Sequence, residues 1–169
     1  AMAVGSIDAA DRHSLYSAPG ASLMLVTTSD YDLGTLADQG IYSTSLFNNP
    51  PYTSTFGGTS AASPIAAGVC ALVLQANPEL TWRDVQHVLI RSARKVNPSD
   101  PSWAYNGAGA GSLHLGSDVF GYGAIDAGAA TALATTWTNR PPESSVVQPQ
   151  VVVNQPIPDA SARMPVYTY

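Results

Sequence analysis

The sequence predicts an α/β fold in which buried helices pack against a parallel sheet. Three observations carry this. Residues 1–7, Ala1-Met2-Ala3-Val4-Gly5-Ser6-Ile7, form an apolar run without polar alternation, the pattern of a strand covered on both faces. Residues 56–77 contain no charged side chain and are dominated by Ala, Gly and Ser, which suits a helix that is apolar all round and therefore buried. After Thr81, the positions Val85, Val88, Leu89, Ser92 and Val96 keep the i, i+3, i+4, i+7 rhythm of an amphipathic helix.

The elements follow in order. Residues 1–5 read as a strand already under way, as in an internal piece of something longer. Asp8 to Ser14 is polar and reads as a loop, and a Pro19-Gly20 turn leads to a second buried strand, Leu23-Met24-Leu25-Val26. Ser29 to Thr55 is polar, with the pair Pro50-Pro51, and fits a long loop or hairpin of the kind that lines sites. Pro64 is tolerable only near a helix start, which places the N-terminus of the uncharged helix at Thr59 or Ser60. Asn77-Pro78 breaks it. Thr81 caps the next helix with Asp84 in the capping-box position, and Asn97-Pro98 ends it, with Arg94 and Lys95 in the last turn beside the dipole's negative end. A Gly-rich stretch spans residues 106–111. Asp126 then caps a third, Ala-rich helix running to Ala134. Beyond Trp137 the composition shifts: six prolines surround Val151-Val152-Val153, which reads as a linker entering a truncated β domain over residues 138–169.

Length and composition bound the rest. A chain of 169 residues holds one domain or parts of two. Apolar residues are 45%, but charged residues only 11% against a usual ~25%, so this is no acidic disordered tail. The net charge of −5, from 10 Asp, 2 Glu, 6 Arg and one Lys, argues against a nucleic-acid groove. Cys70 is the single cysteine and lies in an apolar run; it forms no internal disulfide, excludes a multi-thiolate zinc site and leaves the redox compartment open. The uncharged stretches carry too much Ser, Thr, Gly and Pro for a bilayer span, and no signal peptide is visible.

Ser60 is the candidate for chemistry. It sits where a Gly-Gly-Thr turn meets the N-terminus of a buried helix. Unpaired N–H groups and the positive dipole end gather there, a good place to hold a developing oxyanion. A plain serine N-cap is the alternative.

The segment Gly58-Thr59-Ser60-Ala61-Ala62-Ser63-Pro64 resembles the nucleophile motif of subtilisin-type serine proteases. Residues 77–87 (Asn-Pro-Glu-Leu-Thr-Trp-Arg-Asp-Val-Gln-His), 106–109 (Asn-Gly-Ala-Gly) and 120–127 (Phe-Gly-Tyr-Gly-Ala-Ile-Asp-Ala), with Trp137, resemble the kexin/furin-like branch. Ile157-Pro158-Asp159 resembles the opening of the β-sandwich P domain that follows such catalytic domains. The resemblance implies a partial subtilisin-like domain over residues 1–137 and a linker with the start of a P domain over 138–169. It further implies a secreted or secretory-pathway endopeptidase acting on protein and peptide substrates.

By this resemblance Ser60 is the nucleophile, and the histidine and aspartate of its triad precede it in the chain. None of His13, His87 and His114 has the family's His-Gly-Thr context, and two follow the serine. These three read as structural or surface residues, and Asp8 and Asp11 as loop residues. The oxyanion asparagine also has no match. The expectation is therefore that this chain alone lacks useful protease activity and needs the missing half of the catalytic domain as its partner.

The resemblance also implies calcium and cleavage after paired basic residues in the full-length parent. Many kexins carry a glutamate after Tyr-Ser near the specificity pocket. Here Tyr16-Ser17 precedes Ala18-Pro19-Gly20, so no metal ligand is assigned in this chain. Two rivals stand beside this reading. One is a binding or structural module that keeps the scaffold without the chemistry; the other is a hydrolase of another class pairing Ser60 with His13. Ser92-Ala93-Arg94-Lys95 matches Ser-x-x-Lys, but at the charged end of an amphipathic helix with no Lys-Thr-Gly after it.

Overall fold

The computed structural model describes residues 1–32, 40–46, 49–105, 115–142 and 144. Strand β1 (Ala3–Ile7) pairs in parallel with β2 (Leu23–Thr28), with a register shift between Ala3 and Val4. The pair is the expected parallel sheet, with β1 starting two residues later and β2 running two residues further than the sequence suggests. Residues around Ala124 extend it: Val26 N–H donates to Gly123 O and Ile125 N–H to Val26 O, each at 3.0 Å.

The polar stretch forms a hairpin of β3 (Ile41–Thr44) and β4 (Tyr52–Phe56), antiparallel, with Tyr42 stacked on Tyr52 at 5.8 Å. Helix α1 (Thr59–Ala76) follows, then α2 (Trp82–Ser92), the short antiparallel pair β5 (Ala104–Tyr105) and β6 (Leu115–Gly116), and α3 (Ala127–Thr135). Thr81 and Asp84 complete the expected capping box on α2, and Asp126 accepts from Ala129 N–H at 2.8 Å to cap α3. The Gly-rich stretch, His114 and most of residues 138–169, including the expected P-domain start, lie outside the described residues.

Two clusters form the core. Leu25, Val69, Val73, Val88, Leu89 and Ala134 join β2 to all three helices. Ile7, Val26, Val96, Phe120 and Ala124 form the second, with Trp103 stacked on Phe120 at 5.8 Å. Gly121 closes the second cluster: its φ is +59°, and a Cβ there would lie 2.3 Å from Met24 O.

Two expectations need correction. Helix α1 is not buried all round: Ala61, Ala62, Ala66, Val69 and Val73 face the core, while Leu72 is 47% and Leu74 41% exposed. Within the described residues, β1, β2, α2 and α3 cover one side of the helix only. At 18 uncharged residues it is long and apolar enough to cross a bilayer by composition, but it packs against the sheet and α3 as a core helix does. Helix α2 also ends early. Ala93 is extended, and Arg94 exchanges backbone hydrogen bonds with Ala124 at 2.8 and 2.9 Å. Arg91, rather than Arg94 and Lys95, therefore occupies the last helical turn. The sheet thus captures the chain before Asn97-Pro98 could stop it.

Candidate active site

Strand β4 runs through Gly57 and Gly58 into α1, and Ser60 is the second residue of that helix. Gly58 is the N-cap with φ +79°, a conformation that favours glycine. Its carbonyl accepts from Ala61 N–H at 3.0 Å, the first bond of the helix. Pro64 has no N–H to offer the Ser60 carbonyl four residues back. Ser60 is exposed, and among the described residues nothing hydrogen-bonds its hydroxyl. The first turn carries no acidic side chain, so the positive dipole end at Ser60 is uncompensated from within the helix. This arrangement can present a nucleophilic oxygen and backbone donors to a carbonyl group from one side.

The end of β2 holds this turn in place. Thr27 Oγ1 donates to Ala62 O at 2.9 Å, and Ser29 Oγ donates to Gly58 O at 2.9 Å. Gly58 N–H donates to Asp30 Oδ1 at 2.8 Å, and the Tyr16 hydroxyl donates to the same carboxylate oxygen. Burial pushes the Asp30 carboxyl up, but hydrogen bonds from Tyr16, Gly58 N–H and Ser29 outweigh it and hold the group below the usual carboxylate range. The sequence placed Ser29 and Asp30 in a site-lining loop and Tyr16 near a specificity pocket, but nothing in it pointed to these residues or to Thr27 as anchors of the serine turn. Ser29 and Asp30 fell in a polar loop, and their partners lie 28 or more residues further along.

The other candidates lie apart from Ser60. His13 is edge-on to Phe120 at 6.0 Å, and burial lowers its pKa. It does not hydrogen-bond Ser60. His87 stacks on Trp137 at 6.4 Å; burial first, then Arg140, Arg91 and Arg83, push its pKa down. Asp8 accepts from Ala10 N–H, Arg12 N–H and the Arg12 guanidinium, stapling its own loop. Asp11 binds Arg94 through two hydrogen bonds of 2.6 and 2.8 Å. Cys70 is half-buried, and burial raises its thiol pKa, away from reactivity.

The calcium that the resemblance implies finds no fitting donor set around Tyr16-Ser17. The Tyr16 hydroxyl is bound to Asp30, and Ser17 Oγ is buried and accepts from Ser6 N–H at 3.1 Å. A calcium ion takes six to eight oxygens. No three His, Cys, Asp or Glu side chains converge among the described residues.

The model of the subtilase family matches residues 1–123. The chain is a subtilase. It is similar to Protease KEX1 of Kluyveromyces lactis, 36% identical over 156 residues, covering 92% of this chain and 19% of that protein. It is 39% identical to furin of Mus musculus over 126 residues, covering 75% and 15%. The subtilase fold is also that of the serine protease of Aeromonas sobria, with a TM-score of 0.72 at 25% identity over 82% of this chain and 30% of that one. The chain thus spans less than a fifth of the length of these curated relatives. The kexin/furin-type affinity and the subtilisin-like α/β fold agree with the sequence reading.

Proposed function

We propose that this subtilase chain is the serine-bearing part of a kexin/furin-like endopeptidase in which Ser60 is the nucleophile. The observation that carries the reading is the exposed, uncommitted Ser60 hydroxyl on the first turn of α1, inside the Gly58-Thr59-Ser60 motif. In the reaction Ser60 Oγ attacks the scissile carbonyl carbon, and its proton passes to a histidine base. The tetrahedral adduct collapses to an acyl-enzyme as the base protonates the leaving amine, and water then releases the acid. Backbone N–H groups at the start of α1 face the developing oxyanion.

Neither His13 nor His87 hydrogen-bonds Ser60; His13 packs edge-on to Phe120 and His87 stacks on Trp137, which supports a base supplied from elsewhere. The histidine, its aspartate and the oxyanion asparagine belong to sequence upstream of this chain in the longer protease, which also contributes any calcium site. The substrates are proproteins of the secretory pathway, cleaved after basic residues, as the kexin/furin affinity supports. The isolated 169-residue chain is inactive in this reading. The experiment is fluorophosphonate labelling of the full-length protease and of this chain alone. The full-length enzyme is labelled stoichiometrically, Ser60→Ala abolishes both labelling and cleavage of a dibasic peptide, and the isolated chain stays unlabelled. Activity surviving Ser60→Ala would overturn the assignment, and stoichiometric labelling of the isolated chain would overturn its dependence on the missing half.

A further inference from the structure

The turn that carries Ser60 has an unusual anchorage. Its N-cap is Gly58, which has no side chain to accept a first-turn N–H. The fixing groups come from elsewhere, and they grip both sides of Ser60. Two residues before it, Gly58 is held at both backbone groups: the N–H by Asp30 Oδ1 at 2.8 Å and the Tyr16 hydroxyl at 3.2 Å, the carbonyl by Ser29 Oγ at 2.9 Å. Two residues after it, the Ala62 carbonyl is held by Thr27 Oγ1 at 2.9 Å.

Asp30 is the hub. Its side chain is buried, at 5% exposure, and its Oδ1 accepts from the Tyr16 hydroxyl, with Ser29 Oγ 3.1 Å away. It is therefore immobilised before it binds Gly58. It also sits flush against the turn: a Cβ on Gly57 would lie 2.2 Å from Asp30 Oδ1. No side chain other than glycine's hydrogen fits between them, so carboxylate and turn are matched in shape as well as in hydrogen bonding.

We propose that Asp30, oriented by Tyr16, is a positioning residue for the Ser60 nucleophile, fixing the Gly58 turn so that Ser60 Oγ meets the substrate carbonyl in register. This rests on the reading of Ser60 as nucleophile. Asp30 does not touch the substrate; it acts through the Gly58 backbone. A misplacement of about 1 Å at a reacting group costs on the order of 100-fold in rate, so the anchor is expressed in turnover.

The test uses the full-length protease, with active sites counted by titration with an acylating inhibitor. Asp30→Ala lowers kcat per titrated site about 10- to 100-fold with KM near wild type, and it lowers the melting temperature as well, because the Gly58 N–H and the Tyr16 hydroxyl lose their buried acceptor. Asp30→Asn keeps an amide oxygen for the Gly58 N–H and recovers most of the loss. Tyr16→Phe removes one hydroxyl, lowers kcat in the same sense by less, and decides the matter if Asp30→Ala fails to fold. Unchanged kcat per titrated site in these variants, with loss only in the number of sites or in melting temperature, would overturn the proposal. So would a raised KM with kcat intact. Ser60→Ala separates the two readings. Activity surviving in that variant sinks the nucleophile itself, whereas a dead Ser60→Ala beside a fully active Asp30→Ala sinks the positioning role alone.

Discussion

The indole N–H of Trp137 donates to Asp84 Oδ1 at 3.0 Å, tying the segment after α3 back onto the first turn of α2 across 53 positions. The same oxygen accepts from Arg140 N–H at 2.8 Å, and the other carboxylate oxygen accepts from Thr81 N–H at 3.0 Å. Asp84 is fully buried at 0% exposure. Asp84→Ala leaves these donors without their acceptor, and a hydrogen bond to a charged group contributes about 1.5–3 kcal/mol. The variant is expected to lose about 3 kcal/mol of unfolding free energy in urea titrations. A loss below about 1 kcal/mol would show that water takes over the acceptor role.

Asp84 also shapes the response to acid. Burial pushes its carboxyl up, but hydrogen bonds from Thr81, Arg140 N–H and Trp137 outweigh that penalty and hold its pKa far below the usual value. A depressed folded-state pKa gives stability that is complete above the unfolded-state value, about 3.9, and drains away as the pH falls below it. Wild-type melting temperature should fall steeply from about pH 4 downward, and Asp84→Asn should flatten that slope. Asp30, Asp11 and Asp100 are also lowered, so a residual slope remains. An unchanged slope in Asp84→Asn would locate the acid sensitivity elsewhere.

Gly121 tests the packing of the turn against β2. Its positive φ costs an L-residue about 1–2 kcal/mol, and the added Cβ would overlap Met24 O at 2.3 Å. Gly121→Ala should therefore destabilise by at least 2 kcal/mol, on the order of the backbone strain plus the clash. Thermal unfolding reads this directly.

The Arg94–Asp11 pair predicts the opposite. It is bidentate, but its side chains are 52% and 36% exposed. Exposed ion pairs contribute about 0.2–1 kcal/mol and weaken with salt. Arg94→Ala should change stability by less than about 1 kcal/mol, and raised ionic strength should erase the difference. A larger, salt-independent loss would mean that the arginine's stem packs more than its charge does.

What could be read in the sequence was local. The start of α1 follows from Pro64 and the Gly-Gly turn, the capping box of α2 from Thr81 and Asp84, and the cap of α3 from Asp126. Ser60 on a helix N-terminus was likewise legible, because the motif spans consecutive residues. The misread parts depend on partners far away in the chain. Arg94 leaves the helix because Ala124 offers it a strand partner 30 positions on. The exposed side of α1 depends on what packs there, which composition does not encode. Asp30 looked like one polar residue of a loop, and its value comes from meeting Gly58.

Helix α1 has one more consequence, a mechanical one. From Ser60 to Ala76 it is a rod of about 24 Å, with Val73 near its far end in the core cluster that includes Ala134 of α3. Pivoting such a rod by about 3° at Val73 swings Ser60, about 20 Å away, by close to 1 Å. The α1–α3 contact thus works as the fulcrum of a lever whose tip is Ser60. Small changes in side-chain volume at Val73 or Ala134 are amplified at the Ser60 end, and the Thr27, Ser29 and Asp30 bonds act as the brake that limits the swing.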